Sequence, residues 1–239
     1  ERARWALDVR QVPYRYREYK PLLGELELRV RTKRLRGNVT VPLLVTDDGQ
    51  VLDDSLAIAR FASAHGEGPE LFPVAHEVEL AHWVQVSERA LAAGRALSLR
   101  RTLANEDAVR ELVPRSLRNK LGGMAVTVGR LGVERTLRKY AVADQPADVY
   151  RRQAEDALEA LRDRLTAAPT TERVHTLLGS FSYADIAAAQ ALAFVQPPPF
   201  GLRLGRASQA SFTDRQLAEK YADLVRWRDA LYDAYRPRA

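Results

Sequence analysis

The chain has 239 residues, 46% of them hydrophobic, with 37 basic and 31 acidic side chains and a net charge of +6. That length accommodates one large domain or two smaller ones, and that balance belongs to a folded globule rather than a disordered chain. There is no cysteine, which excludes disulfides, thiolate metal sites and a cysteine nucleophile within these residues.

In chain order, residues 3–11 read as a helix, with Ala3, Ala6, Leu7 and Arg10 on one face and Pro13 closing the run. Tyr14 to Tyr19 alternates ring and charge, a period of two that predicts a strand. Residues 22–34 read as a basic amphipathic helix. Val39 to Thr46 is rich in β-branched residues, Asp47-Asp48-Gly49 is a turn, and Val51-Leu52 resumes the extended pattern, which predicts a β-hairpin. Asp53 or Asp54 then caps a helix running through Leu56, Ile58, Ala59 and Phe61 to about Ala64. Two glycines and two prolines in 66–75 mark a domain boundary.

Beyond that boundary the pattern is almost continuously helical. Leu80, Val84, Ser87 and Leu91 form one stripe, Tyr150, Ala154, Leu158, Leu161 and Leu165 a second, and Leu217, Tyr221, Leu224, Arg228 and Leu231 a third. Phe181-Ser182-Tyr183-Ala184-Asp185-Ile186 carries a capping box and a hydrophobic staple, with Asp in place of the usual Glu or Gln. Phe212 to Leu217 repeats that arrangement around Thr213. Both are read as fold-forming devices. The longest nearly apolar run, Ile186 to Val195, is too short to span a bilayer. No hydrophobic leader is visible either, so no membrane partner is expected and the expected location is cytoplasmic.

The informative stretch is Val41-Pro42 followed by Asp54-Ser55. Proline at the start of a strand cannot donate to the ladder, and a cis Val41–Pro42 bond would present the Val41 main chain to a ligand. A helix then starts with an acid and a hydroxyl, and its free N–H groups favour a carboxylate. Arg29, Arg31, Lys33, Arg34 and Arg36 put five bases into eight residues just before this stretch. They are read either as a solvated helix face or as an attractor for an anion. A second excess, 11 bases against 4 acids, lies in 95–139 and would favour an acidic partner or substrate. His76, Glu79 and His82 are three apart and swing around a helix by roughly 60°, a poor metal face, so no metal site is expected. Bases and acids are interleaved without an aromatic-basic motif, so a nucleic-acid partner is not expected.

These residues together resemble the glutathione transferase superfamily across nearly the whole chain. Ala3-Arg4-Trp5-Ala6-Leu7 resembles its first helix, and Gln11-Val12-Pro13-Tyr14 the lead into its second strand. Val41-Pro42 resembles its cis-proline motif, Asp54-Ser55-Leu56-Ala57-Ile58 its glutamyl-binding motif, and Ser182 to Asp185 its capping box. The resemblance implies a thioredoxin-like α/β domain over 1–74, with its first strand absent from these residues, and an all-helical domain over 75–239. It also implies glutathione as co-substrate, a homodimer, and attack by the glutathione thiol on a small, partly apolar electrophile. By the same resemblance the Val41 main chain, next to Pro42, pairs with the cysteinyl unit. Ser55 holds the γ-glutamyl carboxylate, and Asp54, one methylene shorter than the usual Glu, faces the amine.

The family's thiolate-stabilising Ser, Cys or Tyr is expected upstream of Glu1, since the first helix is already under way at Ala3 and no initiating Met precedes it. No catalytic residue is therefore named within 1–239. Two alternatives stand beside this reading: a catalytically idle binding protein on the same fold, and a glutathione-dependent reductase if the upstream residue is Cys.

Overall fold

Helix α1 (Arg2–Val9) exists because one face is apolar. It buries Ala3, Trp5, Ala6 and Leu7, as the helical spacing predicts. A computed structural model describes residues 1–17, 24–32, 41–140, 145–167, 174–202 and 204–237 of the chain. After α1 the segment Tyr14–Arg17 is irregular rather than a strand, which corrects the sequence reading; Glu18 and Tyr19 lie outside the described residues. Alternation alone does not make a strand, which needs a ladder partner. The sheet among the described residues is two-stranded and pairs elsewhere. The rings of this segment are engaged locally instead, with the Arg4 guanidinium 4.5 Å above Tyr16.

Helix α2 (Gly24–Thr32) falls inside the predicted 22–34 run. Strands β1 (Leu44–Val45) and β2 (Val51–Leu52) form the predicted hairpin, pairing antiparallel as Leu44 with Leu52 and Val45 with Val51. Gly49, at φ +85°, takes the left-handed position of the turn. Helix α3 (Ser55–His65) follows directly and ends at Gly66.

From there the chain is helical: a 3-10 turn at Val74–His76, then α4 (Glu77–Leu103), α5 (Glu106–Glu111), α6 (Arg115–Leu121), α7 (Met124–Lys139), α8 (Ala147–Ala167), α9 (Tyr183–Ala191), α10 (Arg206–Phe212), α11 (Arg215–Lys220) and α12 (Ala222–Tyr235). The third predicted stripe is thus two helices rather than one. The break falls at Tyr221, whose φ and ψ of −114° and 34° leave the helical region, yet Leu217, Tyr221, Leu224, Arg228 and Leu231 all remain buried.

Two hydrophobic cores result. The first is built on α4, α8 and α9, with the second predicted stripe, Ala154 to Leu165, at its centre. The second joins α1 and α3 to α9 and α12, so residues on both sides of the predicted boundary share it. Trp5 is its anchor: fully buried, edge-on to Tyr232 at 4.6 Å, with Nε1 donating to the Tyr235 carbonyl at 2.9 Å. Each such aromatic pair adds about 0.5–1.5 kcal/mol beyond the area it buries.

The capping box at the start of α9 is present as read. The Ser182 N–H and hydroxyl both donate to Asp185 Oδ2 at 2.9 Å, and the Leu177 N–H donates to Oδ1 at 2.8 Å. Phe181 and Ile186 are buried in the same core. Its expected repeat at Thr213 is not formed. The α11 cap is Asp214, which accepts from the Leu217 N–H at 3.2 Å, while Thr213 donates back to the Gln209 carbonyl. Asp214 wins because Arg101 and Arg151 hold its carboxylate at 2.8 and 2.9 Å. Arg101, one of the bases in the 95–139 excess, is therefore engaged within the fold. Phe212 stacks on Phe194 rather than stapling α11.

Candidate functional site

The hairpin brings the two halves of the candidate site to one end. Its turn is fixed by the Thr46 N–H donating to Gln50 and the Gly49 N–H donating to Thr46, each at 3.0 Å. The Thr46 hydroxyl and the Gln50 N–H both donate to Asp48 and hold its carboxyl below the ordinary range. In an antiparallel ladder one residue steps forward as its partner steps back. Val41-Pro42 leads into β1 and Asp54-Ser55 follows β2, so both flank the open end of the hairpin.

The Val41–Pro42 bond is cis. Val41, at the hairpin's open end, is 48% exposed. After β2, Asp54 has extended backbone angles and caps α3, its Oδ1 accepting from the Leu56 and Ala57 N–H groups, each at 2.8 Å. Of the two acids the sequence left open, Asp54 is the cap. This cap removes two of the unpaired donors of the first turn and does not use the Ser55 N–H. Ser55 occupies the first helical position and is half-buried. What remains at the start of α3 is the Ser55 hydroxyl and N–H, at the positive end of a helix. That arrangement can hold a carboxylate.

Ser55 also has a partner from far along the chain. The Tyr183 hydroxyl, at the first position of α9, donates to Ser55 Oγ at 3.3 Å. Burial raises the Tyr183 hydroxyl above its ordinary pKa. The phenol therefore stays protonated and keeps its proton to donate. Sequence reasoning gave Tyr183 no role, because nothing in a capping box announces a contact 128 residues away. Arg2 ties the same region together, pairing with Glu88 of α4 and donating from Nη2 to the Ala187 carbonyl of α9 at 3.1 Å.

Of the five-base run, Arg29 is half-buried and Arg31 exposed in the last turn of α2; Lys33, Arg34 and Arg36 lie outside the described residues. His76 faces Glu79 at 3.5 Å, and Glu79 also meets Arg164 at 2.9 Å, while His82 sits edge-on to Trp83. No helix among the described residues is long and apolar enough to cross a membrane.

Comparison with known proteins bears on the family and the fold. The family model described as glutathione S-transferase, N-terminal domain, matches residues 1–65, and that described as glutathione S-transferase, C-terminal domain, matches residues 108–230. A search of curated proteins found no match. Among solved structures, a glutathione S-transferase domain-containing protein of Marinobacter aquaeolei VT8 superimposes with a TM-score of 0.52 at 20% identity. The match covers 99% of this chain and 92% of that one. At that identity the likeness speaks to the fold, a small sheet with helices followed by a helical region.

Proposed function

Because the chain belongs to the glutathione S-transferase superfamily, we propose that it binds glutathione at the hairpin end and transfers the thiol to a small, electrophilic, partly apolar molecule. The observation that supports this reading is a cis Val41–Pro42 bond leading into the hairpin, with α3 starting at Ser55 directly after it. The Val41 main chain pairs with the cysteinyl unit as an added strand does. Ser55 gives its hydroxyl and N–H to the γ-glutamyl carboxylate, and Asp54, its Oδ1 engaged in the cap, turns its remaining charge toward the amine. Glutathione supplies the nucleophilic sulfur, whose new bond to the electrophile forms as a leaving group departs or a double bond takes up the electron pair. The electrophile sits between the α/β region, residues 1–74, and the helical region, residues 75–239, because concave sites favour such junctions. A homodimer and a cytoplasmic location complete the reading.

Titration calorimetry with glutathione tests it, beside the Ser55→Ala variant. The expected result is saturable binding, weakened in the variant by about tenfold or more, as for a lost hydrogen bond to a charged group. Unchanged affinity in Ser55→Ala removes Ser55 from the site. No binding heat at millimolar glutathione overturns the reading in favour of a protein that does not use glutathione. Thiol consumption with an activated aryl halide then separates a transferase from an idle binder.

A further inference from the structure

We infer that Tyr183 is a positioning residue for the γ-glutamyl carboxylate: its hydroxyl, donated to Ser55 Oγ, turns the serine's own proton outward to the ligand. This rests on the glutathione reading above. Tyr183 is held on every side. It is 1% exposed, its ring stacks on Phe72 at 5.3 Å and 25°, and its N–H donates to the Leu71 carbonyl at 2.9 Å. A serine hydroxyl has one proton and two lone pairs, and it rotates to suit its neighbours. With Tyr183 donating into one lone pair at 3.3 Å, the serine proton is left for an acceptor on the open side. In such a chain each hydrogen bond polarises the next. Arg2, Glu88 and Asp54 are the charged groups near enough to act on the phenol. The helical region thus sets the donor geometry of a site carried by the α/β region.

Tyr183→Phe removes one oxygen and keeps the ring on Phe72. It is expected to weaken glutathione about threefold to tenfold, the range of one ordinary hydrogen bond, and to raise KM for glutathione with kcat unchanged. The same substitution is expected to leave binding of γ-aminobutyryl-cysteinyl-glycine, which lacks the γ-glutamyl α-carboxylate, unaltered. It should add nothing in a Ser55→Ala background. Equal weakening of both peptides, or wild-type affinity in Tyr183→Phe, overturns the inference while leaving the glutathione reading intact if Ser55→Ala still weakens binding. Absence of glutathione binding in the wild type overturns both. Should Tyr183→Phe fold poorly, 3-fluorotyrosine at position 183 keeps the shape with a stronger donor. Tighter glutathione binding then supports the role, and unchanged binding refutes it.

Discussion

Replacing Arg10 with Met removes a cation that serves carbonyls rather than a carboxylate. The side chain is 7% exposed. Its Nε donates to the Ala62 carbonyl at 3.4 Å, Nη1 to Pro69 at 3.0 Å and to Gly68, and Nη2 to Ser63 at 2.8 Å and to Gly66. These carbonyls belong to the last turn of α3 and the loop after it, where a helix leaves acceptors unpaired and its dipole favours a cation. The loop is pressed close, since a Cβ on Gly66 would sit 2.1 Å from the Arg10 carbonyl oxygen. Methionine keeps the aliphatic stem and loses every donor. Hydrogen bonds to a charged group contribute about 1.5–3 kcal/mol each, but the 3.4 Å contact is weak and the loop carbonyls regain some water. A net loss of about 3–5 kcal/mol follows, comparable with breaking one buried charged pair. Urea unfolding followed by far-UV circular dichroism measures it, with Arg10→Lys expected between wild type and Met. A loss below about 1 kcal/mol for Met would refute the clamp.

Two further outcomes follow from the helical region. Gly94 of α4 faces Phe194 so closely that a Cβ would lie 2.7 Å from the phenylalanine Cβ, and Gly94→Ala should cost about 1–3 kcal/mol by overpacking; thermal unfolding indistinguishable from wild type would show that the crossing yields. Asp185 is completely buried, and burial outweighs its three donors, raising its pKa from 3.8 to about 6. The folded state therefore holds this proton more tightly than the unfolded chain, and the group's contribution to stability declines as pH rises from about 4 to about 6. Relative to Asp185→Asn, the wild type's advantage should narrow across that window in denaturant titrations, and a constant or widening gap would sink the argument.

Local chemistry was legible in the sequence, and long-range partnership was not. The hairpin, the start of α3 and the Ser182–Asp185 box each depend on residues a few positions apart, so β-branched runs, turn residues and capping spacings report them directly. The stripe from Ala154 to Leu165 follows from a single helical period. The strand expected at Tyr14 failed because pairing is a property of two segments, and the alternation of one cannot supply the other. Thr213 lost the α11 cap to Asp214 for the same kind of reason: Arg101, 113 residues away, decides which carboxylate or hydroxyl is held in place. Arg10 reads as an ordinary helical arginine until the loop at 62–69 folds over it.

That distinction bears on how the site is maintained. Ser55 stands on α3, and α3 is short, so its own backbone bonds do not fix it; most helical stability comes from packing. Ile58, Ala59 and Ala62 pack it into the core shared with α9 and α12. Arg10 holds its far end, and Tyr183 reaches its first residue from the helix that Asp185 caps. A substitution that loosens the Ser182–Asp185 box therefore reaches Ser55 through Tyr183, without touching the residues proposed to meet glutathione. A ligand that binds only the folded state would in turn tighten the junction, by mass action, between the hairpin end and the helical region.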